Sequence, residues 1–318
     1  MANMKKTVLF ALCLIFSLTA CDTTPKAKRT YELSPEGLFS ASLSEHYALT
    51  GNVQGSAQLW QLKPKKLMHN WQHTDEKEGI LYSAIADAEQ YALTAEKDSL
   101  AWWRIADGVL MNVWYLPNIH SVTLSADGQF ALIGLAEKAI YYSLIHGKTL
   151  YEFPHDGAVT HVDISADSQL ALTGSSDATA KLWDLSTGKL KYTWQHRSKL
   201  ASLLISPDSR YALTNSGLSS IRLWNTQTGK LYKQLPPKLI TLSSVTFSAN
   251  GKYLVTGRVA QRIDLWNIKT RKIIKYWRPK KTRKWSPAAA TILALHFAEN
   301  DRKIYSIASN GYLQLWRK

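Results

Sequence analysis

Short runs in which apolar and polar residues alternate recur along most of the chain. Tyr47-Ala-Leu-Thr-Gly opens one such run, and near copies start at Tyr91, Phe130, Leu170, Tyr211 and Tyr253, with a degenerate one at Ile304. Alternation over four to eight residues predicts a half-buried strand. A second run ends each time on an aromatic residue, at Trp60, Trp103, Tyr142, Trp183, Trp224, Trp266 and Trp316. Eleven residues further on, the first six copies carry Trp71, Trp114, Phe153, Trp194, Leu235 and Trp277. Ser-Ala-Asp-Gly at 125–128, Ser-Pro-Asp-Ser at 206–209 and Ser-Ala-Asn-Gly at 248–251 separate the runs, as does Thr-Gly-Lys at 187–189 and 228–230. These residue types supply the φ values of tight hairpins. Each unit of about 41 residues therefore predicts four short antiparallel strands, and there are seven units.

One unit, PHDGAVTHVDISADSQLALTGSSDATAKLWDL at 154–185, is similar almost position by position to the repeat of the WD-repeat family. Trp183-Asp184 stands at that family's signature dipeptide. The resemblance implies an all-β fold, a seven-bladed β-propeller, and a buried hydrogen-bond tetrad at His155, Thr173, Asp177 and Trp183. In it the indole N–H donates to the Thr173 hydroxyl, Thr173 to His155, and His155 to the Asp177 carboxylate. A second tetrad is expected at His73, Thr94, Asp98 and Trp103, with one residue fewer between the last two. The fifth unit keeps His196, Thr214 and Trp224 but lacks the acid, and the first, third, sixth and seventh are expected to rely on ordinary packing. Only Arg317 and Lys318 follow Trp316, so Tyr31-Glu32-Leu33 is expected to supply the last blade's fourth strand and close the ring over 31–318. A closed ring has no open sheet edge at its seam.

The first residues read differently. Lys5 and Lys6 precede the apolar run Val8–Phe16, which is followed by Ser17 and Leu18-Thr19-Ala20-Cys21. That is the order of a secretory signal peptide, over 1–20, and the apolar run is too short for a spanning helix. Leu18-Thr19-Ala20-Cys21 resembles the lipobox of bacterial lipoproteins. The resemblance implies cleavage before Cys21 and fatty acylation at that residue, palmitate included. It implies a cell-envelope protein facing the periplasm, and Asp22 resembles an inner-membrane retention signal; the outer membrane is the alternative. Residues 21–30 then form the lipidated cysteine and a polar tether, whose nine residues after Cys21 reach roughly 30 Å. Cys13 leaves with the signal, so neither a disulfide nor a free thiol is expected.

Of 318 residues, 45% are hydrophobic and 20% charged, the composition of a globular chain. Nine histidines include no Cys, His or Asp cluster at ligand spacing, so no metal and no cofactor are expected. No nucleophile elbow or phosphate loop appears. Asp127, Asp167 and Asp208 fall in turns, where carboxylates bond their own backbone. The formal charge of +15 is the anomaly. Between Arg258 and Lys284 stand eleven basic residues and one acid, Asp264. Arg278, Lys280, Lys281, Arg283, Lys284 and Trp285 read as an inserted basic loop with an aromatic tip, a candidate interaction site. This basic wall, with Lys269, Arg271 and Lys272, is expected on the tether's side of the ring. The reading is a non-enzymatic docking platform, a monomeric ring whose partners are envelope proteins and anionic headgroups and not nucleic acid. The alternative is a ligand-binding or enzymatic propeller working through its axial channel.

Overall fold

The computed structural model describes residues 25–73, 78–217, 219–236, 241–281 and 290–318. Its strands form seven four-stranded antiparallel sheets. Blade 1 runs from Leu38 to Gln72, blade 2 from Tyr82 to Tyr115, blade 3 from Ser121 to Pro154 and blade 4 from Val159 to Gln195. Blades 5 and 6 occupy Leu200–Gln234 and Leu242–Trp277. In each of these, strands lie in sequence order from first to fourth. The first strands pack against one another all the way round, blade 7 against blade 1 included, which makes the ring. Among the described residues no helix is long and apolar enough to cross a membrane.

Blade 7 takes three strands from the C-terminal end, Ile292–Ala298, Lys303–Ala308 and Tyr312–Arg317, and its fourth from the N-terminal end. That fourth strand is Arg29–Glu32, paired from Arg29↔Leu315 to Glu32↔Tyr312. Closure thus begins two residues earlier than Tyr31-Glu32-Leu33. The reason is backbone demand: Leu315 offers a carbonyl that the Lys28 amide takes at 2.7 Å, so pairing runs on past Tyr31 toward the N-terminus. Leu33 turns inward instead and packs with Leu38 and Leu313.

Aromatic stacking between blades explains the two landmark series. The fourth-strand aromatic of one blade lies flat on the third-strand aromatic of the next: Trp71 on Trp103 at 4.9 Å, Phe153 on Trp183 at 4.7 Å and Trp194 on Trp224 at 5.1 Å. Trp277 and Trp316 repeat the contact at a tilt, 6.2 Å apart. Blades packed this way bury large rings on both faces of each sheet, which no single blade could do.

The turns between first and second strands are near copies. In blade 3 the Ser125 hydroxyl donates to Asp127 at 2.5 Å, and Asp127 accepts the Gln129 amide at 3.0 Å. Ser165/Asp167, Ser206/Asp208 and Ser248/Asn250 repeat the arrangement. The residue after each of these has positive φ; it is glycine at 128 and 251 but Ser168 (55°) and Ser209 (56°) in blades 4 and 5. Alternating strand direction puts these turns and the third-to-fourth turns on one face of the ring. Second-to-third turns and the loops between blades lie on the other. The closing strand is antiparallel to Tyr312–Arg317, so Pro25–Lys28 leaves from the first of these faces.

Candidate functional site

Blade 4 contains a complete hydrogen-bond relay. Trp183 Nε1 donates to Thr173 Oγ1 at 2.9 Å, and Thr173 lies 2.8 Å from His155 Nε2. His155 Nδ1 is 2.9 Å from Asp177 Oδ2. Burial lowers the pKa of His155 despite that carboxylate, so the ring is neutral and donates from Nδ1. Burial alone would raise Asp177; the hydroxyl and amide of Thr179, then His155, outweigh it and hold the carboxyl at about 2. Every buried polar atom of the relay has a partner, which is the condition for such a network to stabilise.

Blade 2 differs from the expectation in its acid. Trp103 donates to Thr94 at 2.7 Å and Thr94 meets His73 Nε2 at 2.5 Å. His73 Nδ1 then meets the Ser99 hydroxyl at 3.0 Å, and Ser99 donates to Glu96 at 2.6 Å. Asp98 is not a member: it accepts the Asn118 amide at 2.7 Å. One residue fewer before the tryptophan shortens the turn, so the third strand starts at Ser99 and Asp98 is left facing the neighbouring loop. Ser99, His73 and Glu96 are the residue types of a hydrolytic triad, but Ser99 is 4% exposed and the trio is closed off inside the blade.

The degenerate blades keep more than packing. In blades 6 and 7 the indoles of Trp266 and Trp316 donate to Thr256 at 3.1 Å and Ser306 at 2.8 Å. In blade 5, Trp224 donates to Thr214 at 2.7 Å, while His196 stands edge-on to Trp224 and neither ring nitrogen is hydrogen-bonded among the described residues. Burial, aided by Arg222, pushes its pKa down to about 4.

The basic stretch divides. Asp264 is fully buried and is held by Arg258 and, at 2.7 Å, by Arg262, so two of the eleven cations serve a structural pair. The Lys280 carbonyl accepts from Gln261 at 2.8 Å and Asn310 at 3.0 Å, and its amide donates to Gln314. Gln261 and Asn310 belong to second-to-third turns, which puts Lys280 and Lys281 on the face opposite the tether. Lys269, Arg271 and Lys272 lie on the tether's face. The expected single wall is therefore two separate patches, because Lys272–Trp277 crosses the ring from face to face, close to 20 Å for a strand of that length. Arg278 is exposed between them. Arg283, Lys284 and Trp285 lie outside the described residues, as do Cys21 and Asp22.

Sequence reasoning missed what lines the axis. A cavity of about 350 Å³ opens there, with Asp87, Asp163, Leu204, Phe247, His296 and Asp301 in its wall. Asp163 accepts the Ile205 amide at 2.6 Å. Burial drives its carboxyl up to about 7 against the pull of that amide, and Asp87 adds to the rise. Burial lowers His296 although Glu45 stands 3.6 Å away. The repeat places this position but not the residue that fills it, which is Thr123 in blade 3, Asp163 in blade 4 and His296 in blade 7. Among the described residues no group of three or more His, Cys, Asp or Glu could hold a metal ion.

With the ring described, two likenesses to known proteins take their place. Residues 147–184 match the family described as "WD domain, G-beta repeat". That segment spans the relay of blade 4 up to Trp183-Asp184. The chain is also 25% identical over 155 residues to U3 small nucleolar RNA-associated protein 12 of Saccharomyces cerevisiae. The match covers 46% of this chain and 15% of the yeast protein.

Proposed function

We infer that this seven-bladed β-propeller is a WD-repeat ring throughout, as its match at residues 147–184 supports. We propose that it is a membrane-anchored periplasmic lipoprotein whose ring acts as a non-enzymatic docking scaffold in the bacterial cell envelope. The observation that carries the scaffold reading is where the reactive side chains are used. His73 and His155, with their hydroxyls and carboxylates, are tied up in buried relays of blades 2 and 4, and outside the axial cavity what remains for partners is two broad faces of turns. Acylation at Cys21 rests on Leu18-Thr19-Ala20-Cys21, and the polar segment after it leads directly into the closing strand. The yeast relative's name ties that protein to RNA. A chain that carries an export signal meets envelope proteins instead, and those are the proposed partners. Photo-crosslinking from Lys281 and Lys230 in intact cells, followed by identification of the adducts, tests the scaffold. Palmitate should label the wild-type chain and not Cys21→Ser; label on both or neither removes the anchor. The axial cavity favours a second reading, a small cationic ligand held by Asp163 and Asp87. Saturable binding of such a ligand, lost in Asp163→Asn, would replace the scaffold by a receptor.

A further inference from the structure

At the seam between blades 7 and 1 the tether leaves the ring beside a cleft of about 560 Å³, walled by Lys28, Arg29, Lys63, Lys303 and Glu299. Four cations thus surround one carboxylate. Lys303 bonds Glu299 at 2.6 Å and Lys63 bonds it at 2.5 Å, which together pull the carboxyl down to about 2. Lys28 and Arg29 are exposed and face the same cleft. An ammonium carries three donors, so Lys63 and Lys303 can serve Glu299 and an incoming anion together. The third-to-fourth turns of blades 3 to 6 continue the charge around the rim, through Lys148, Lys189, Lys230, Lys269 and Arg271. Most acids of the face lie inward, on the first-to-second turns beside the axis, as at Glu45, Asp87, Asp127 and Asp167, while Asp107 and Asp184 stand at the third-to-fourth turns, Asp107 paired with Arg104 and Asp184 accepting the Ser186 amide. The outermost ring of charge is therefore net positive on the side where the chain departs, with cations in excess over Asp107 and Asp184.

We propose that this face lies on the bilayer, with the seam cleft taking the phosphate of an anionic lipid headgroup and the rim lysines resting on neighbouring headgroups. The inference rests on the reading of the chain as membrane-anchored: a tether from residue 21 to residue 28 holds the cleft within roughly 30 Å of the acyl chains. Each cation near an anionic leaflet adds to the attraction within a screening length of about 8 Å, so only turn-tip residues contribute. The opposite face, with Lys280 and Lys281, then points away from the membrane and stays open to partners.

The test uses the full-length chain, extracted from membranes and reconstituted into phosphatidylcholine vesicles with or without phosphatidylglycerol. A fluorophore on Thr187→Cys reports the tether's face and one on Ser198→Cys reports the opposite face, against a quencher carried by the headgroups. Quenching of the first probe alone is expected. It should require phosphatidylglycerol and disappear in about 0.5 M salt. Lys28→Glu with Arg29→Glu should weaken the contact roughly tenfold or more. Glu299→Gln should strengthen it, a gain that misfolding cannot mimic. Arg278→Glu, Lys280→Glu and Lys281→Glu together should leave it unchanged. Equal quenching of both probes, stronger quenching of the second, or reversal by glycerol phosphate at constant ionic strength would each overturn the proposal. The last result would make the cleft a site for free phosphate esters. Thiol labelling of the chain without an added cysteine would instead show that a free thiol survives at Cys13 or Cys21, so failure of lipoprotein processing is seen separately.

Discussion

Thr173→Val places the blade 4 relay under the most direct load. Valine is close to threonine in shape, so packing survives and only the hydroxyl is lost. That oxygen is shared: it accepts from Trp183 at 2.9 Å and meets His155 at 2.8 Å. Its removal orphans two buried groups, the indole N–H and His155 Nε2, in a residue position with no solvent exposure. An unsatisfied buried polar group costs about 1–3 kcal/mol, so the substitution should cost about 2–5 kcal/mol. For a chain of this size, 1 kcal/mol corresponds to about 2–4 °C in Tm. Thr214→Val in blade 5 is the internal control, because there the hydroxyl serves Trp224 alone and His196 does not use it. It should cost about half as much. Trp183→Phe on the Thr173→Val background should recover part of the loss, since it deletes one orphan. The measurement is urea unfolding followed by tryptophan fluorescence for the single and double variants. If Thr173→Val and Thr214→Val cost the same, or the double variant loses the plain sum of its parts, the relay is not a coupled unit.

Stability should fall as pH drops from about 6.5 toward 4. His73, His161 and His196 are pushed down to about 4 by burial, so over that window the unfolded chain takes up protons that the folded ring refuses. Melting curves across the window check this, and His196→Phe should flatten part of the slope while raising stability at acid pH. Ser209→Gly relieves a left-handed residue in its turn and should stabilise by about 1 kcal/mol, visible as a raised Tm; no change would mean the serine pays nothing for its φ of 56°. Gly311→Ala should destabilise severely, by about 3 kcal/mol or more, because its new Cβ would sit 1.7 Å from the Ser34 carbonyl oxygen in the closing segment. Limited proteolysis after Arg29 should then appear; an intact, fully stable Gly311→Ala ring would refute the closure described.

The repeat and its aromatic landmarks were legible because stacking between blades demands a large ring at the same strand position each time, whether Trp103, Tyr142 or Trp183. The blade 4 relay was legible for the same reason. Its relative in blade 2 was read with the wrong acid, since which carboxylate reaches a histidine depends on turn length, and the turn before Ser99 is one residue shorter. The hydroxyl bonds of Trp266 and Trp316 were hidden by degenerate flanks that still kept Thr256 and Ser306 at the right distance. The basic run looked like one patch because adjacency in sequence says nothing about faces. One strand, Lys272–Trp277, separates Arg271 from Lys280 by the thickness of the ring. Asp163 and His296 carried no signal at all, because the repeat's stacking and turn requirements do not constrain which residue stands at the axis-lining positions of its first strands.

The pairing of Arg29 with Leu315 also sets the order in which the protein can mature. Arg29–Glu32, on the N-terminal side of the ring, finds its neighbour in Tyr312–Arg317, on the C-terminal side. Until Tyr312–Arg317 is complete, the growing chain is an open arc with two unpaired edges, and a contact joining the two ends forms slowly on entropic grounds. Those edges are templates for mispairing with other nascent copies. A ring that is stable once shut is thus most exposed to aggregation in the interval before Tyr312–Arg317 arrives, and holdase activity would matter most then.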